Sequence, residues 1–128
     1  MNPINLKYHR EHVWAQVDED TAVFGLTDYA QESLGDIVYI ELPEIGAKLE
    51  AGTAFAEVES VKAVSDVHAP LSGTVVEVNE EVEDAPELIN ESPYENGWLV
   101  QVQLHDLSEI GNLLSVEEYE QFLIEEED

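Results

Sequence analysis

The stretch Ala54-Phe55-Ala56-Glu57-Val58-Glu59-Ser60-Val61-Lys62-Ala63-Val64-Ser65-Asp66-Val67-His68-Ala69-Pro70 decides how this chain is read. Its front half alternates. Ala54, Ala56 and Val58 share one face, and Phe55, Glu57 and Glu59 the other, which is the period-two signature of a strand. Val64 to Ala69 reads as a return strand closed by Pro70, a residue that cannot donate to a ladder. The residues between them become a hairpin tip that carries Lys62. The tip lacks the Asn-Gly or glycine-rich pair of the commonest tight hairpins. Two readings of Lys62 stand side by side: an ordinary solvated lysine, or an amine held out on an exposed turn for covalent modification. In the second, the sheet holds the lysine still for a modifying enzyme, and a long attached arm sweeps outward from the tip.

Working outward, the same short-strand pattern recurs. Val13 to Val17 and Thr21 to Gly25 read as strands around the acidic turn Asp18-Glu19-Asp20. Thr27 or Asp28 is placed to cap a short helix bearing Tyr29, Ala30 and Leu34 and ending at Gly35. Asp36 to Leu42 alternates, with Val38, Ile40 and Leu42 expected inward, and Pro43 stops it. Thr74 to Asn79 is a further strand with Val76 and Val78 expected inward. Trp98, Val100, Val102 and Leu104 share one face of a late strand. Ser115 opens a final helix with a capping box to Glu118. Val116, Tyr119 and Leu123 then form a docking stripe, and Glu125 to Asp128 are expected to fray. Gly46, Gly52 and Gly73 mark turns or close approaches, and Pro70 and Pro93 mark strand ends.

Many short strands with sparse helices predict a mainly β sandwich or small barrel. No stretch reads as a linker, so one domain spans 1–128, with a core over about 20–105 and a C-terminal helix over about 115–125. A faint repeat lays Gly35-Asp36-Ile37-Val38-Tyr39-Ile40-Glu41 over Gly73-Thr74-Val75-Val76-Glu77-Val78-Asn79. Leu49-Glu50 then falls on Val82-Glu83, and Phe55 on Leu88. A chance match of valine-rich strands and a domain of two similar halves both accommodate it.

Composition narrows the function. Of 128 residues, 44 % are hydrophobic, enough for a folded core. The apolar runs are far shorter than the ~20 residues of a membrane span. The opening MNPINLKYHREHVW resembles neither a signal peptide nor an import leader, so a cytoplasmic chain is expected. The absence of cysteine excludes disulfides, thiolate metal sites and cysteine nucleophiles. Four Lys and Arg against thirty Asp and Glu give a formal charge of −26, which argues against nucleic acid and anionic membranes as partners. That field steers cationic or basic-patched partners inward. Only Lys7, Lys48 and Lys62 are lysines, and no Lys or Arg follows Lys62. His9 and His12 lie three apart, without a third ligand at a recognisable metal spacing, so no metal site is expected.

Glu59-Ser60-Val61-Lys62-Ala63, then Ser65-Asp66 and Ala69-Pro70-Leu71-Ser72-Gly73, resembles the lipoylation segment of glycine cleavage system H proteins. The resemblance extends along the chain. It includes His12-Val13-Trp14, Gly25-Leu26-Thr27-Asp28-Tyr29-Ala30-Gln31, Leu34-Gly35-Asp36-Ile37-Val38 and Leu42-Pro43-Glu44-Ile45-Gly46. Val78-Asn79, Pro86-Glu87-Leu88-Ile89-Asn90, Pro93-Tyr94, Gly97-Trp98 and the C-terminal helix with Tyr119 follow in the family's order, covering about Tyr8 to Leu123.

The resemblance implies a lipoyl/biotinyl-type flattened β-barrel sandwich with short helices. It also implies lipoic acid in amide linkage to Lys62, with Glu59 assisting a lipoate ligase or octanoyltransferase. A pyridoxal-phosphate glycine decarboxylase would load an aminomethyl group onto the arm. A tetrahydrofolate-dependent aminomethyltransferase would remove it, and a flavin (FAD) dihydrolipoamide dehydrogenase would reoxidise the dithiol. The chain itself would be a monomeric, non-catalytic carrier. The loaded arm would rest in a cleft between His12 to Trp14 and the strand after Lys62, with Asp66 near it. The family's glutamate at position 13 is Val13 here. Glu11 is expected to replace it from the same strand face, two residues earlier. His68 stands where the family usually has tyrosine, and is expected to be a packing substitution. An H-like protein relaying lipoate and a lipoyl domain of a 2-oxo acid dehydrogenase are the alternatives. The second lacks both terminal extensions. A biotin carrier would need methionine in place of Val61 and Ala63.

Overall fold

The computed structural model describes residues 6–127. Nine strands run in chain order: β1 (Lys7–His9), β2 (Val13–Asp18), β3 (Thr21–Leu26), β4 (Ile37–Glu41), β5 (Lys48–Leu49), β6 (Ala54–Ser60), β7 (Val64–His68), β8 (Gly73–Val78) and β9 (Val100–Leu104). The helices are α1 (Asp28–Leu34), α2 (Glu80–Asp84), α3 (Leu88–Glu91) and α4 (Val116–Glu127), and a 3₁₀ turn covers Leu107–Asn112. The strands form a six-stranded sheet, β1-β2-β3-β9-β8-β5, and a three-stranded sheet, β4-β6-β7. Every pairing is antiparallel. The sheets face one another as a sandwich and are not joined by ladders into a closed barrel.

The core lies between the sheets. Phe24, Val75, Val100 and Val102 from one meet Ile40, Ala56, Val58 and Val67 from the other. Gly73 permits this layer to close, because a Cβ there would run into the Gln103 carbonyl on β9. A second cluster lies apart from the sandwich core. Here α4 presses Val116 and Tyr119 onto Leu6, Tyr8 and Trp14. The capping box forms as expected: Glu118 N–H donates to Ser115 Oγ at 3.2 Å, and Ser115 N–H to a Glu118 carboxylate oxygen at 3.0 Å. Tyr8 and Tyr119 stack with centroids 4.7 Å apart. The helix continues to Glu127 through the acidic run that was expected to fray, and Asp128 lies outside the described residues.

Several inward assignments are corrected by β-bulges. In β4 the register shifts between Ile37 and Tyr39, so Ile37 and Ile40 are buried while Val38 is 54 % exposed. In β8 it shifts between Val75 and Glu77, so Val75 is buried and Val76 is 44 % exposed. An extra residue in one strand changes which face the preceding side chain takes. The two bulges occupy equivalent places in the repeat, Ile37 on Val75 and Tyr39 on Glu77. The likeness of these strands is therefore structural. Beyond them it ends: Leu49 lies in β5 but Val82 in α2, and Phe55 in β6 but Leu88 in α3. Two further corrections concern the segment before β9. Trp98 precedes that strand and packs against the second cluster, and Pro93 follows α3 rather than a strand.

Candidate functional site

Lys62 is exposed at the β6–β7 tip. Glycine is not needed to make this turn, because the Ser60 side chain supplies its hydrogen bonds. Ser60 Oγ accepts from Lys62 N–H at 3.2 Å and Ala63 N–H at 3.1 Å, and Ser60 N–H donates to the Ala63 carbonyl at 2.8 Å. Val61 N–H donates to the Asp36 carbonyl at 3.1 Å, which ties the tip to the start of β4. Gly35 lies beneath the lysine stem. Its φ of +80° is a conformation glycine adopts without strain, and a Cβ there would stand 3.1 Å from Lys62 Cε. Val61 and Val64 flank the lysine at 67 % and 60 % exposure, so the tip presents an amine on an apolar pad. Glu59 is half-buried on β6, opposite Tyr39 on β4 and Val64 on β7.

A cleft of about 390 Å³ opens beside this tip. Asp66 and His68 of β7 form one side, Glu11 and His12 another, and Tyr29 and Leu34 of α1 the third. The structure therefore brings Asp66 and Glu11 into one cleft. It does so by a route other than the expected strand face. Glu11 lies in the turn before β2, where its N–H donates to His9 Nδ1 at 3.0 Å and His12 takes a φ of +67°. Val13 is fully buried in the core and contributes nothing to the cleft wall. Trp14 faces the second cluster instead. His68 is a cleft residue rather than core packing. The α1 wall was not read from the sequence, although Tyr29 and Leu34 lie on the side of that helix already picked out.

His12 is fixed from behind. Its Nδ1 lies 2.8 Å from the Tyr119 hydroxyl, which lies 2.8 Å from Thr27 Oγ1. Thr27 also caps α1, accepting from Ala30 N–H at 3.2 Å. The His12 ring packs on Tyr29 with centroids 4.5 Å apart. One buried hydroxyl on α4 thus joins two walls of the cleft. Burial holds His9 below its ordinary value of 6.5, with Glu11 opposing and His68, Arg10 and His12 adding to the shift. A neutral His9 can accept the Glu11 N–H bond.

A larger groove, about 550 Å³, opens on the outer face of the six-stranded sheet, lined by Trp14, Tyr94, Trp98, Glu77 and Glu95 among others. None of its lining residues belongs to α1, β6 or β7, so it is not part of the lysine site. Among the described residues no three His, Asp or Glu side chains group to hold a metal ion, and no helix is long and apolar enough to cross a membrane.

The chain is similar to known proteins along nearly its whole length. The family model described as glycine cleavage H-protein matches residues 6–126. A glycine cleavage system H protein of Carboxydothermus hydrogenoformans is 55 % identical over 124 residues, covering 97 % of this chain and 95 % of that one. Its counterpart in Geobacillus sp. is 54 % identical, covering 96 % and 97 %. The crystal structure of a glycine cleavage system H protein from Mycobacterium marinum superposes with a TM-score of 0.88 at 39 % identity, covering 94 % and 97 %. The chain belongs to the glycine cleavage H-protein family, the lipoyl-bearing carriers of that system.

Proposed function

We propose that Lys62 Nζ is acylated by lipoic acid, and that this chain carries the aminomethyl group of glycine between the enzymes of the glycine cleavage system. The carrying observation is the pairing of an exposed amine on a hydrogen-bonded hairpin tip with an adjoining cleft. The residues present fit the group. The lysine stem crosses bare backbone at Gly35, and the adjoining cleft offers Leu26, Leu34 and Val64 as apolar surface. When bound, the group supplies a disulfide that becomes a dithiol on reduction, which gives a cysteine-free chain both a redox couple and a thiol for cargo.

The chain's own residues perform the rest. The sheet and Ser60 hold the tip, and Glu59 marks it for the lipoate ligase or octanoyltransferase. Asp66 and Glu11 face the cationic amine of the cargo, and the apolar walls shield it from water. Lys62 would hold the arm at the tip, so that tethering would replace diffusion between the glycine decarboxylase, the aminomethyltransferase and dihydrolipoamide dehydrogenase. The chain is a non-catalytic carrier, and its formal charge of −26 favours partner faces rich in Lys and Arg.

The test is peptide mass mapping of protein made in a lipoate-supplied host. The lipoyl mass is expected on the Lys62 peptide alone and is expected to vanish in Lys62→Arg. Lipoate on Lys7 or Lys48, or loading that survives Lys62→Arg, rejects the assignment.

A further inference from the structure

Asn90 lies on α3, far from the tip in sequence, yet it binds the segment on which the tip rests. Its Oδ1 accepts from Ile37 N–H at 2.9 Å. Its Nδ2 donates to the Gly35 carbonyl and to Gln31 Oε1, each at 2.9 Å. One amide thus grips both ends of the tripeptide Gly35-Asp36-Ile37 and the side chain of Gln31 on α1. That tripeptide meets the lysine hairpin twice: the Asp36 carbonyl accepts from Val61 N–H, and Gly35 underlies the Lys62 stem. The path from Asn90 to the amine is short and consists of hydrogen bonds and one close contact.

The other bonds on this segment are few: Gly35 N–H donates to the Gln31 carbonyl at 3.0 Å, and Ile37 pairs with Ser60 across β4 and β6. Gly35 ends α1 in a conformation that costs backbone entropy, and Asp36 is exposed. Without the clamp, the Gly35 carbonyl and the Ile37 N–H lose their shared partner, and the start of β4 keeps only its pairing with Ser60 and the packing of Ile37. The Asn90 amide answers one donor and two acceptors at once; a hydroxyl has a single hydrogen to give and a carboxylate none.

We infer that Asn90 is a positioning residue for the modification, fixing the height and direction at which Lys62 is presented to the acylating enzyme. The inference rests on Lys62 being the acylated residue. A misplaced amine still allows the enzyme to dock on the hairpin but lowers the fraction of encounters with attack geometry. The loss therefore falls on kcat rather than KM.

The experiment acylates the purified full-length chain with a lipoate ligase, lipoate and ATP, comparing wild type with Asn90→Ala and the near-isosteric Asn90→Asp. Asn90→Asp keeps the acceptor for Ile37 N–H and lacks both donors. Ile89→Val, a core change on the same helix, serves as the stability control. Both Asn90 variants are expected to lose roughly tenfold in kcat with KM within about twofold, and to speed hydrogen exchange at the Val61 amide. Ile89→Val is expected to lower the melting temperature without either change. Wild-type kcat in both Asn90 variants overturns the inference. So does a loss that tracks melting temperature across all three variants. Failure of the wild type to load at Lys62 instead overturns the proposed attachment, a separate outcome read from the same mass spectra.

Discussion

Two of the concave surfaces of this chain differ in what lines them. The larger groove, about 550 Å³, has an aromatic wall of Trp14, Tyr94 and Trp98. Trp14 is buried there, its indole N–H donating to the Pro93 carbonyl at 3.0 Å, and Tyr94 accepts from Asp28 N–H at 2.9 Å. Burial pushes the Tyr94 hydroxyl up to about 12. The smaller cleft, about 390 Å³, has half-buried or exposed titratable residues, Glu11, His12, Asp66 and His68, beside the hairpin tip of Lys62. Size ranks them one way and chemistry the other. The aromatic side holds the N-terminal strands and α4 to the sandwich. The lysine side is the one to which we assign the carrier function.

The sharpest way to break that division is Trp14→Ala. It empties a buried indole site and orphans the Pro93 carbonyl, at a cost of about 3–5 kcal/mol. Urea unfolding is expected to show this loss, while the fraction that remains folded acylates Lys62 at the wild-type rate. A wild-type unfolding midpoint, or a folded variant that acylates slowly, would erase the distinction between the two sides.

Tyr119→Phe probes the link between them. Its hydroxyl is buried and bridges His12 to Thr27, so removing it leaves partners unsatisfied and costs about 1–3 kcal/mol. Because His12 is also a cleft wall, the loaded arm is expected to release formaldehyde faster in this variant. An unchanged release rate alongside the stability loss would mean that α4 supports the fold and not the cleft.

Asp66→Ala separates function from stability in the opposite direction. Register places Glu41, Glu57 and Asp66 directly across three neighbouring strands, so three carboxylates share one row. Like charges facing one another destabilise a sheet, and the alanine variant is expected to gain a few tenths of a kcal/mol. Its loaded arm is expected to lose cargo about two- to fivefold faster, the worth of an exposed ion pair. Glu11→Ala is expected to follow with a smaller change. Equal release rates in the wild type and both variants would show that carboxylates are not what protects the cargo.

These differences also show what a sequence displays. The hairpin, the α1 cap at Thr27 and the Ser115–Glu118 box were legible because each is made by residues within a few positions of one another. The inward faces of Val38 and Val76 were misread because a bulge is a property of strand pairing and leaves valine-rich strands looking regular. Of the cleft residues, resemblance points to Asp66 and strand-face spacing to Glu11, while His68 reads from the sequence as packing. That Tyr29 and Leu34 complete the cleft, and that Val13 does not, depends on how α1 packs across β7. Asn90 was visible only as one letter in a matching block, since its partners lie more than fifty positions earlier.

The smallest effect concerns the turn that delivers Glu11 to the cleft. His9 Nδ1 accepts the Glu11 N–H, which requires an unprotonated nitrogen, and burial holds the His9 value below 6.5. The folded chain therefore binds a proton at His9 less readily than the unfolded chain does. Between the lowered folded value and 6.5 the unfolded state is the more protonated, so stability falls as pH drops through that window and levels off below it. Protonation also turns Nδ1 from acceptor into donor and releases the Glu11 N–H. Asn at position 9 offers a carbonyl that accepts from the N–H two residues on, as in an Asx turn, without titrating. Comparing melting temperatures at about pH 7.5 and about pH 5.5, the wild type is expected to lose more on acidification than His9→Asn. Other groups titrate in both proteins and cancel in the difference between them. Parallel losses would show that the turn tolerates a charged His9, and that Glu11 reaches the cleft without its help.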